Sequence, residues 1–355
     1  MNEPKRIIVV CPSLIGDTVM ATPTFRALRQ RFAEARIDGV VRPGVAPTLA
    51  GAPWFDALIP FHSKGKDPAH RTLPFLRRLK AGRYDLAVLL PNSFRTAALT
   101  WLARIPRRVG YVRYGRGPLL TDPLIPPTAP TWRRLPSPMI DYYLALARHL
   151  GCEVGSMRTE LFTIESDERA ADQAWERLGL NGVGKVVCLN NGGAFGPAKS
   201  WPTEYFAILA KRLAVETGVG VLMVCGPDER EAARAVVAQA DHPGVVSLAD
   251  EPLSIGLTKA SIRRSSLLVT TDSGPRHFAG AFGVPVVSLF GPTFIAWTRT
   301  YHPHAIHLQQ PVPCGPCQKG VCPLGHHRCM RELDPGTVFN AALRLLGRPS
   351  VLPLR

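Results

Sequence analysis

The sequence predicts an α/β protein with two domains. Short apolar runs alternate with amphipathic helical segments through both halves of the 355-residue chain, which is the pattern of parallel sheets covered on both faces. This length exceeds one typical core and suits two domains. A content of 46% hydrophobic and 20% charged residues is that of a globular protein.

Strand and helix signals alternate in the first half. Strands are expected at residues 6–11, 38–41, 57–60, 86–90 and 108–112, and helices around 68–80 and 93–103. A further helix follows the first strand. Within it Pro23 either kinks the helix or takes the first position of a second helix capped by Thr22. No GxGxxG motif follows the first strand, so a dinucleotide fold of the dehydrogenase type is unsupported.

The second half repeats the pattern after a proline-rich stretch. Residues 121–139 lack periodicity and are expected to form a loop or mobile arm. Helices are expected at 141–150, 165–180, 254–264, 277–282 and 335–346, and another helix begins around 226–229. Strands are expected at 186–189, 219–225, 267–269 and 284–290.

The stretch from 267 to 293 contains the strongest local signal. An apolar strand breaks into Asp272-Ser273-Gly274-Pro275, which starts a helix. Gly274 permits close backbone approach to a ligand, and Pro275 suits the first helical position. The helix N-terminus favours an anion such as diphosphate, at an edge where α/β proteins bind ligands. Taken alone, this turn is equally typical of any βαβ unit.

Three motifs occur in order along the chain: PSLIGDTVMATPTFRALR, NNGGAFGPAKSWP and TDSGPRHFAGAFGVPVVSLFGPT. Together they resemble the motifs of the bacterial lipopolysaccharide heptosyltransferases of glycosyltransferase family 9, most of all heptosyltransferase II. The resemblance implies the GT-B architecture, two Rossmann-like domains facing each other across a cleft. It implies an acceptor domain at 1–165, a nucleotide-sugar domain at 166–334, and a C-terminal helix within 335–355 that packs back on the first domain.

The resemblance also implies an inverting transfer of heptose. The donor would be ADP-L-glycero-D-manno-heptose, and the acceptor a lipopolysaccharide inner core of the heptosyl-Kdo-lipid A type. Asp17 matches the aspartate taken as general base, although on residue type alone it would be an N-terminal capping residue. Lys199 matches a lysine that contacts the donor diphosphate and sugar, although a lone loop lysine is usually just solvated.

Other donor contacts are implied by matching motif positions. Glu229 corresponds to a ribose-binding carboxylate, although an acid in a first helical turn by default complements the helix dipole. Leu253 would lie against adenine. The remaining implied donor-binding residues are Gly16, Ala194, Phe195, Asp272, Ser273, Gly274 and His277.

A formal charge of +16 indicates attraction to polyanions, and basic residues crowd the first half. No nucleic-acid-binding module is recognisable, so nucleic acid is not an expected partner. The resemblance instead implies an anionic lipid acceptor at the cytoplasmic face of the inner membrane, bound by a cytoplasmic, peripheral and monomeric enzyme. The start lacks a secretory h-region, in agreement with a cytoplasmic protein. The alternatives are a non-catalytic nucleotide-sugar-binding module, a family member with another donor sugar, and a nucleic-acid-binding protein suggested by charge alone.

Four of the eight cysteines form a cluster near the C-terminus, at Cys314, Cys317, Cys322 and Cys329. In a reducing compartment such density favours a metal site over disulfides. The spacing matches neither a zinc ribbon nor a ferredoxin, which leaves structural zinc, reduced thiols and an iron–sulfur cluster as interpretations. Catalysis is expected to need no cofactor, because Lys199 supplies the positive charge that other glycosyltransferases take from a divalent cation.

Overall fold

Two six-stranded sheets, each parallel throughout, form the centres of two separate units. The computed structural model describes residues 3–126, 137–193 and 195–347. Unit 1 extends to Phe162 and includes Ala296–Thr300, and unit 2 comprises Thr163–Ile295 and the chain from Tyr301 onward. Within these described ranges, every helix is too short or too polar to span a lipid bilayer.

Unit 1 has the strand order β3-β2-β1-β4-β5-β6. Its strands are β1 Arg6–Val10, β2 Arg36–Val41, β3 Ala57–Pro60, β4 Leu86–Leu89, β5 Arg107–Tyr111 and β6 Asp122–Leu124. Its helices are α1 Ile15–Met20, α2 Thr22–Arg31, α3 Thr72–Gly82, α4 Phe94–Leu102 and α5 Met139–His149.

Unit 2 has the order β12-β11-β10-β7-β8-β9. Its strands are β7 Val186–Asn190, β8 Gly220–Met223, β9 Val245–Ser247, β10 Leu267–Thr271, β11 Val286–Phe290 and β12 Ala305–Gln309. Its helices are α6 Glu165–Arg177, α7 Thr203–Thr217, α8 Arg230–Ala240, α9 Ile255–Arg264, α10 Gly274–Phe282, α11 Arg328–Arg331 and α12 Pro335–Leu345.

Both sheets follow the doubly wound order 3-2-1-4-5-6, counting strands from the start of each unit. The strand order therefore reverses between β1 and β4 in unit 1, and between β7 and β10 in unit 2. These positions are the topological switch points of the two sheets. In unit 2 this pairing sets Asn190 beside Thr270 at the carboxyl ends of the strands. Ligands of such sheets bind outside the strand ends at these reversals.

The central strands are buried on both faces, which explains their continuous apolar sequences. In unit 1, Ile7 and Val9 pack in the layer that contains α2 and α5. Ile8 and Val10 pack in the opposite layer, with α3 and α4. Helices thus cover both faces of the sheet, and the connecting loops lie at the ends of the strands.

The proline-rich stretch contains a strand that the sequence does not predict. β6 pairs with β5, and Val112 N–H donates to Leu124 O at 2.7 Å. Pro123 is tolerated because β6 is an edge strand. Residues 127–136 of the predicted loop lie outside the described part of the chain.

The break near Pro23 is a second helix start. α1 ends at Met20, Ala21 lies at the junction, and Pro23 takes the second position of α2. Thr22 does not cap this helix: its hydroxyl donates to Val19 O at 2.8 Å and accepts from Glu160 N–H at 3.0 Å.

Helix α12 belongs to unit 2 and packs on its sheet. It contacts α7, β10 and β11. Val338, Phe339 and Leu343 are buried in the unit 2 core, because one apolar face of α12 covers that side of the sheet.

Candidate active site

Asn190, the last residue of β7, joins the segments that meet at the strand reversal of unit 2. Its Oδ1 accepts from the hydroxyls of Thr270 at 3.1 Å and Ser273 at 2.9 Å. Its Nδ2 donates to Val224 O at 3.1 Å. This buried amide therefore fixes the ends of three neighbouring strands. Sequence reasoning missed it, although a polar residue that ends an apolar run is a visible signal.

A glycine-rich loop follows Asn190 and lies against the turn after β10. The Thr271 hydroxyl donates to Gly192 O at 2.8 Å. A Cβ on Gly192 would lie 1.8 Å from Oε1 of Glu229, and one on Gly193 would lie 3.8 Å from the Ser273 Cβ. Gly192 thus makes room for Glu229. The predicted contact residue Ala194 is outside the described residues.

Lys199, which is partly buried, and Asp272, which is buried, form an ion pair at this edge. The Lys199 ammonium donates to Asp272 Oδ2 at 2.7 Å and to its backbone oxygen at 2.9 Å. Oδ2 also accepts from the Thr293 hydroxyl at 2.8 Å. Burial would raise the pKa of Asp272, but the charges of Arg276 and Lys199 and these hydrogen bonds hold it below its usual value. Asp272 is therefore ionised at neutral pH.

Arg276 and His277 lie in the first turns of α10. The guanidinium of Arg276, 1% exposed, lies 3.7 Å from Asp272 Oδ1 and 5.0 Å from the centre of the Phe290 ring. Burial and the Arg276 charge lower the pKa of His277 well below its ordinary value, so the imidazole is neutral. Two cations and one carboxylate thus leave one net positive charge at this helix N-terminus.

Ser273 is the N-cap residue of α10, yet its hydroxyl makes no capping bond to the helix. It bonds Asn190 and Thr270 instead. The first-turn N–H groups, which begin with that of Gly274, are consequently directed at the space above the strand ends, where an anion is favoured. Pro275 at the second position has no N–H to contribute. Pro275 is one position later than predicted.

Two other predicted donor residues, Phe195 and Glu229, lie around the same loop, and Leu253 is the exception. Phe195 is 42% exposed, and its ring centre lies 4.7 Å from the Lys199 ammonium. Glu229 accepts from Gly226 N–H at 2.7 Å and borders Gly192. Leu253 packs against the core of unit 2.

In unit 1, Gly16 and Asp17 follow β1 at the second and third positions of α1. The N-cap residue is Leu14, so Asp17 is not the capping residue. The pKa of Tyr143 on α5 is raised well above its ordinary value, mainly because the side chain is buried and secondly because of the negative charge of Asp17. The Asp17 carboxylate thus lies near the strand reversal of this sheet, within electrostatic reach of Tyr143.

The loop after β4, at the same reversal, is held by a residue that sequence reasoning passed over. Arg116 is fully buried, and its Nε donates to Tyr111 O at 2.7 Å and its Nη2 to Asn92 Oδ1 at 3.1 Å. Asn92 Nδ2 donates to the Tyr142 hydroxyl at 3.0 Å. Burial lowers the pKa of Arg116 to about 10, which leaves it charged at neutral pH.

The four clustered cysteines line one small pocket together with His326 and His327. Burial and the three other thiols raise the pKa of Cys329, whereas backbone N–H groups, led by that of His327, lower the pKa of Cys322. Within the described chain, however, no three His, Cys, Asp or Glu side chains converge as a metal site requires.

The cysteine segment also touches the glycine loop. Gly320 O accepts from Ala198 N–H at 3.0 Å. A Cβ on Gly320 would lie 2.4 Å from Phe195 O, and one on Gly196 would lie 2.4 Å from Gly320 O. The two backbones pass each other at a distance that admits no side chain on either glycine.

Comparison with known proteins agrees with this architecture. Lipopolysaccharide heptosyltransferase 2 of Escherichia coli is 28% identical, over 96% of this chain and 98% of that protein. Lipooligosaccharide heptosyltransferase 2 of Campylobacter jejuni is 31% identical over the same shares. The solved E. coli ADP-heptose lps heptosyltransferase II superposes with a TM-score of 0.76 at 26% identity, over 96% of this chain and 98% of that one.

The predicted α/β fold is confirmed, since two parallel sheets covered by helices match the GT-B structures of heptosyltransferases. Residues 72–327, which include the glycine loop, the Asp272 turn and the first three of the four clustered cysteines, match the family described as glycosyltransferase family 9 (heptosyltransferase). This chain therefore belongs to glycosyltransferase family 9 and is a glycosyltransferase.

Proposed function

We propose that this protein transfers heptose from ADP-L-glycero-D-manno-heptose to a heptosyl-Kdo-lipid A type acceptor of the lipopolysaccharide inner core. One observation carries the donor assignment: Lys199, Arg276 and the uncapped N-terminus of α10 converge where doubly wound sheets bind ligands. The names of the relatives supply the sugar and the acceptor class.

In this proposal unit 2 holds the donor. The diphosphate lies at the N-terminus of α10 beside Lys199, whose ammonium has three donors, two of them used by Asp272. As the bond from the anomeric carbon to the diphosphate breaks, negative charge develops on the leaving oxygen. Fixed positive charge and aligned N–H groups stabilise it, so the reaction needs no divalent cation. Glu229 binds the ribose hydroxyls, and Leu253 lies against adenine.

Unit 1 is proposed to bind the acceptor and supply the base. Asp17 accepts the proton of the acceptor hydroxyl as that oxygen bonds to the anomeric carbon. Attack on the face opposite the diphosphate inverts the anomeric configuration in one displacement. The position of Asp17 beside the β1/β4 reversal, without a capping role, supports this assignment.

The experiment is to incubate the purified protein with ADP-heptose, with and without heptose-deficient lipopolysaccharide, and to measure ADP release and the mass of the acceptor. We expect acceptor-dependent ADP release and one added heptose per acceptor. Tight binding of ADP-heptose without either product would instead identify a non-catalytic nucleotide-sugar-binding module. Transfer from a different nucleotide sugar would reassign the donor.

We further propose that the enzyme acts as a monomer at the cytoplasmic surface of the inner membrane, and that the cysteine cluster holds a structural zinc ion. Four thiols in one pocket supply the soft ligands that zinc prefers. Cys314, Cys317, Cys322 and Cys329 would be its ligands. The ion would have to draw these side chains together, and it takes no part in the transfer step.

A further inference from the structure

The outer face of α4 contains an apolar stripe that the core does not use. The stripe consists of Phe94, Ala98, Trp101 and Leu102, which recur at the spacing of one helix face. Phe94 is 53% exposed, Trp101 51% and Leu102 46%. The opposite face of α4 packs in the unit 1 core. Large exposed apolar groups on one helix face are typical of an interaction surface.

Exposed basic residues are numerous on α4 and on the neighbouring helix α3. Helix α3 packs beside α4. Between residues 71 and 104 the chain has seven Lys or Arg residues and one acidic residue, Asp85. The Asp85 carboxylate accepts the N–H groups of Lys5 and Arg6 at 2.8 and 2.9 Å, at the amino end of the sheet. The exposed cations on or next to the two helices are Arg71, Arg77, Arg78, Lys80, Arg83, Arg95 and Arg104.

We propose that this α3/α4 face docks on an anionic phospholipid surface, an inference that rests on the lipid acceptor of the proposed function. Trp101 and Phe94 would enter the headgroup boundary while the arginines contact anionic headgroups. The charge favours this occupant over a second copy of the chain, because two such faces would repel each other.

The docking face is suitably placed for a lipid-linked acceptor. α4 begins immediately after β4, which pairs in parallel with β1, and α1 with Asp17 follows β1. Phe94 therefore lies at the same sheet edge as the proposed base. A lipid anchored at this face presents its sugar to that edge.

The test is sedimentation with vesicles of phosphatidylglycerol and phosphatidylethanolamine, without donor or acceptor. Phe94→Gln/Trp101→Gln/Leu102→Gln should bind about 10- to 100-fold more weakly than the natural protein. Ile208→Gln/Val215→Gln, which changes two exposed apolar residues on α7, should bind normally. Equal binding by the triple variant, or equal loss in the control, would overturn the proposal.

A second experiment varies the lipid composition and the salt concentration and measures vesicle binding. Binding should fall at least about tenfold on pure phosphatidylcholine, in 0.5 M salt, and in Arg77→Gln/Arg78→Gln, because each exposed cation adds attraction to anionic lipid. Binding that ignores lipid charge would contradict the assignment. A different result would identify a second copy of the chain as the occupant. In that case the natural protein would dimerise through this face, and the triple variant would be monomeric with unchanged vesicle binding.

A spectroscopic measurement covers the case in which the triple variant does not fold. Brominated lipids should quench part of the tryptophan fluorescence, and Trp101→Phe should abolish that part while it retains vesicle binding. Unchanged quenching in Trp101→Phe would exclude this face. Since no substrate is present, normal vesicle binding by a protein without heptosyl transfer would reject the proposed function alone.

Discussion

The ammonium of Lys199 lies 2.7 Å from Oδ2 of Asp272, and both side chains are nearly inaccessible to solvent. Because Arg276 approaches the other carboxylate oxygen, Asp272 is held between two cations. The carboxylate thereby places and partly neutralises the positive charge that we assign to the donor diphosphate.

Loss of the Lys199 charge should weaken donor binding selectively. Lys199→Ala should lower the affinity for ADP-heptose about 10- to 100-fold, whereas adenosine, which has no phosphate, should bind nearly as before. Lys199→Arg should rescue ADP-heptose only partly, because a guanidinium differs in shape from an ammonium. Calorimetric titration of both ligands measures this. Equal loss for both would place Lys199 outside the diphosphate site.

The Asp272 ion pair should contribute stability with a defined pH dependence. Asp272→Asn should cost about 3 kcal/mol at pH 7, because it leaves buried cations without their carboxylate. The folded-state pKa of Asp272 is lowered, so this stability is fully present above the unfolded value near 3.8 and is lost as pH falls through the lower folded value. Urea unfolding of both proteins at pH 7, 4 and 3 measures the difference, which should be constant down to pH 4 and smaller at pH 3. A difference that grows toward acid would contradict the sign.

Removal of the proposed base should affect turnover and leave donor binding intact. Asp17→Ala should lower kcat by about 10²- to 10⁴-fold, the usual effect of losing a general base. Stability should change by less than about 1 kcal/mol, since Leu14 and not Asp17 is the N-cap residue. Glu165→Ala, which removes an exposed acid from the first turn of α6, is the matched control. If ADP-heptose binding also collapsed, another residue would have to be the base.

Metal removal should show that the cysteine cluster affects stability and that the transfer reaction does not depend on it. Activity should survive EDTA in the assay without added magnesium, because the positive charge comes from the protein. If the cluster holds zinc, Cys314→Ser or Cys317→Ser should lower Tm and metal content with little change in turnover per folded molecule. Metal analysis of the purified protein is the first measurement, and the absence of both zinc and iron would leave plain thiols. A folded but inactive Cys314→Ser enzyme would assign the cysteines to catalysis.

The contact between Gly320 and the glycine loop predicts a steric effect on donor binding. Gly320→Ala would place a Cβ 2.4 Å from Phe195 O and displace the loop that leads to Lys199. The Kd for ADP-heptose should rise about tenfold, with kcat at saturation changed less than twofold. Val321→Ala changes an exposed neighbour and should have no effect. Unchanged donor affinity in folded Gly320→Ala would show that the segment does not position the loop.

The sequence predicts the central strands well because strands buried on both faces need continuous apolar runs. β1, β4, β10 and β11 have this property. Three of the four edge strands escape prediction for the opposite reason: β6 and β9 have three residues each, and β12 is only half-buried. The fourth edge strand, β3, is predicted at its observed position. Length and burial, rather than propensity, separate the two groups.

The same distinction applies to the site. Asp272, Ser273 and Lys199 are visible because each lies in a contiguous motif, and their clustering follows from adjacent parallel strands. Asn190 and Arg116 are not recognisable, because their partners are distant in sequence and are brought near only by the folded sheets. A lone arginine between two glycines has no local mark of burial.

The close passage of Gly196 and Gly320 limits how this protein can be recombined. A chimera that imports the cysteine segment from a relative brings its own residue at position 320, and any side chain there meets a carbonyl oxygen at 2.4 Å. The same holds for a transplanted loop with a substituted position 196. The two segments, more than a hundred residues apart, are therefore exchangeable only as a matched pair, and swaps designed to alter donor preference should move both together.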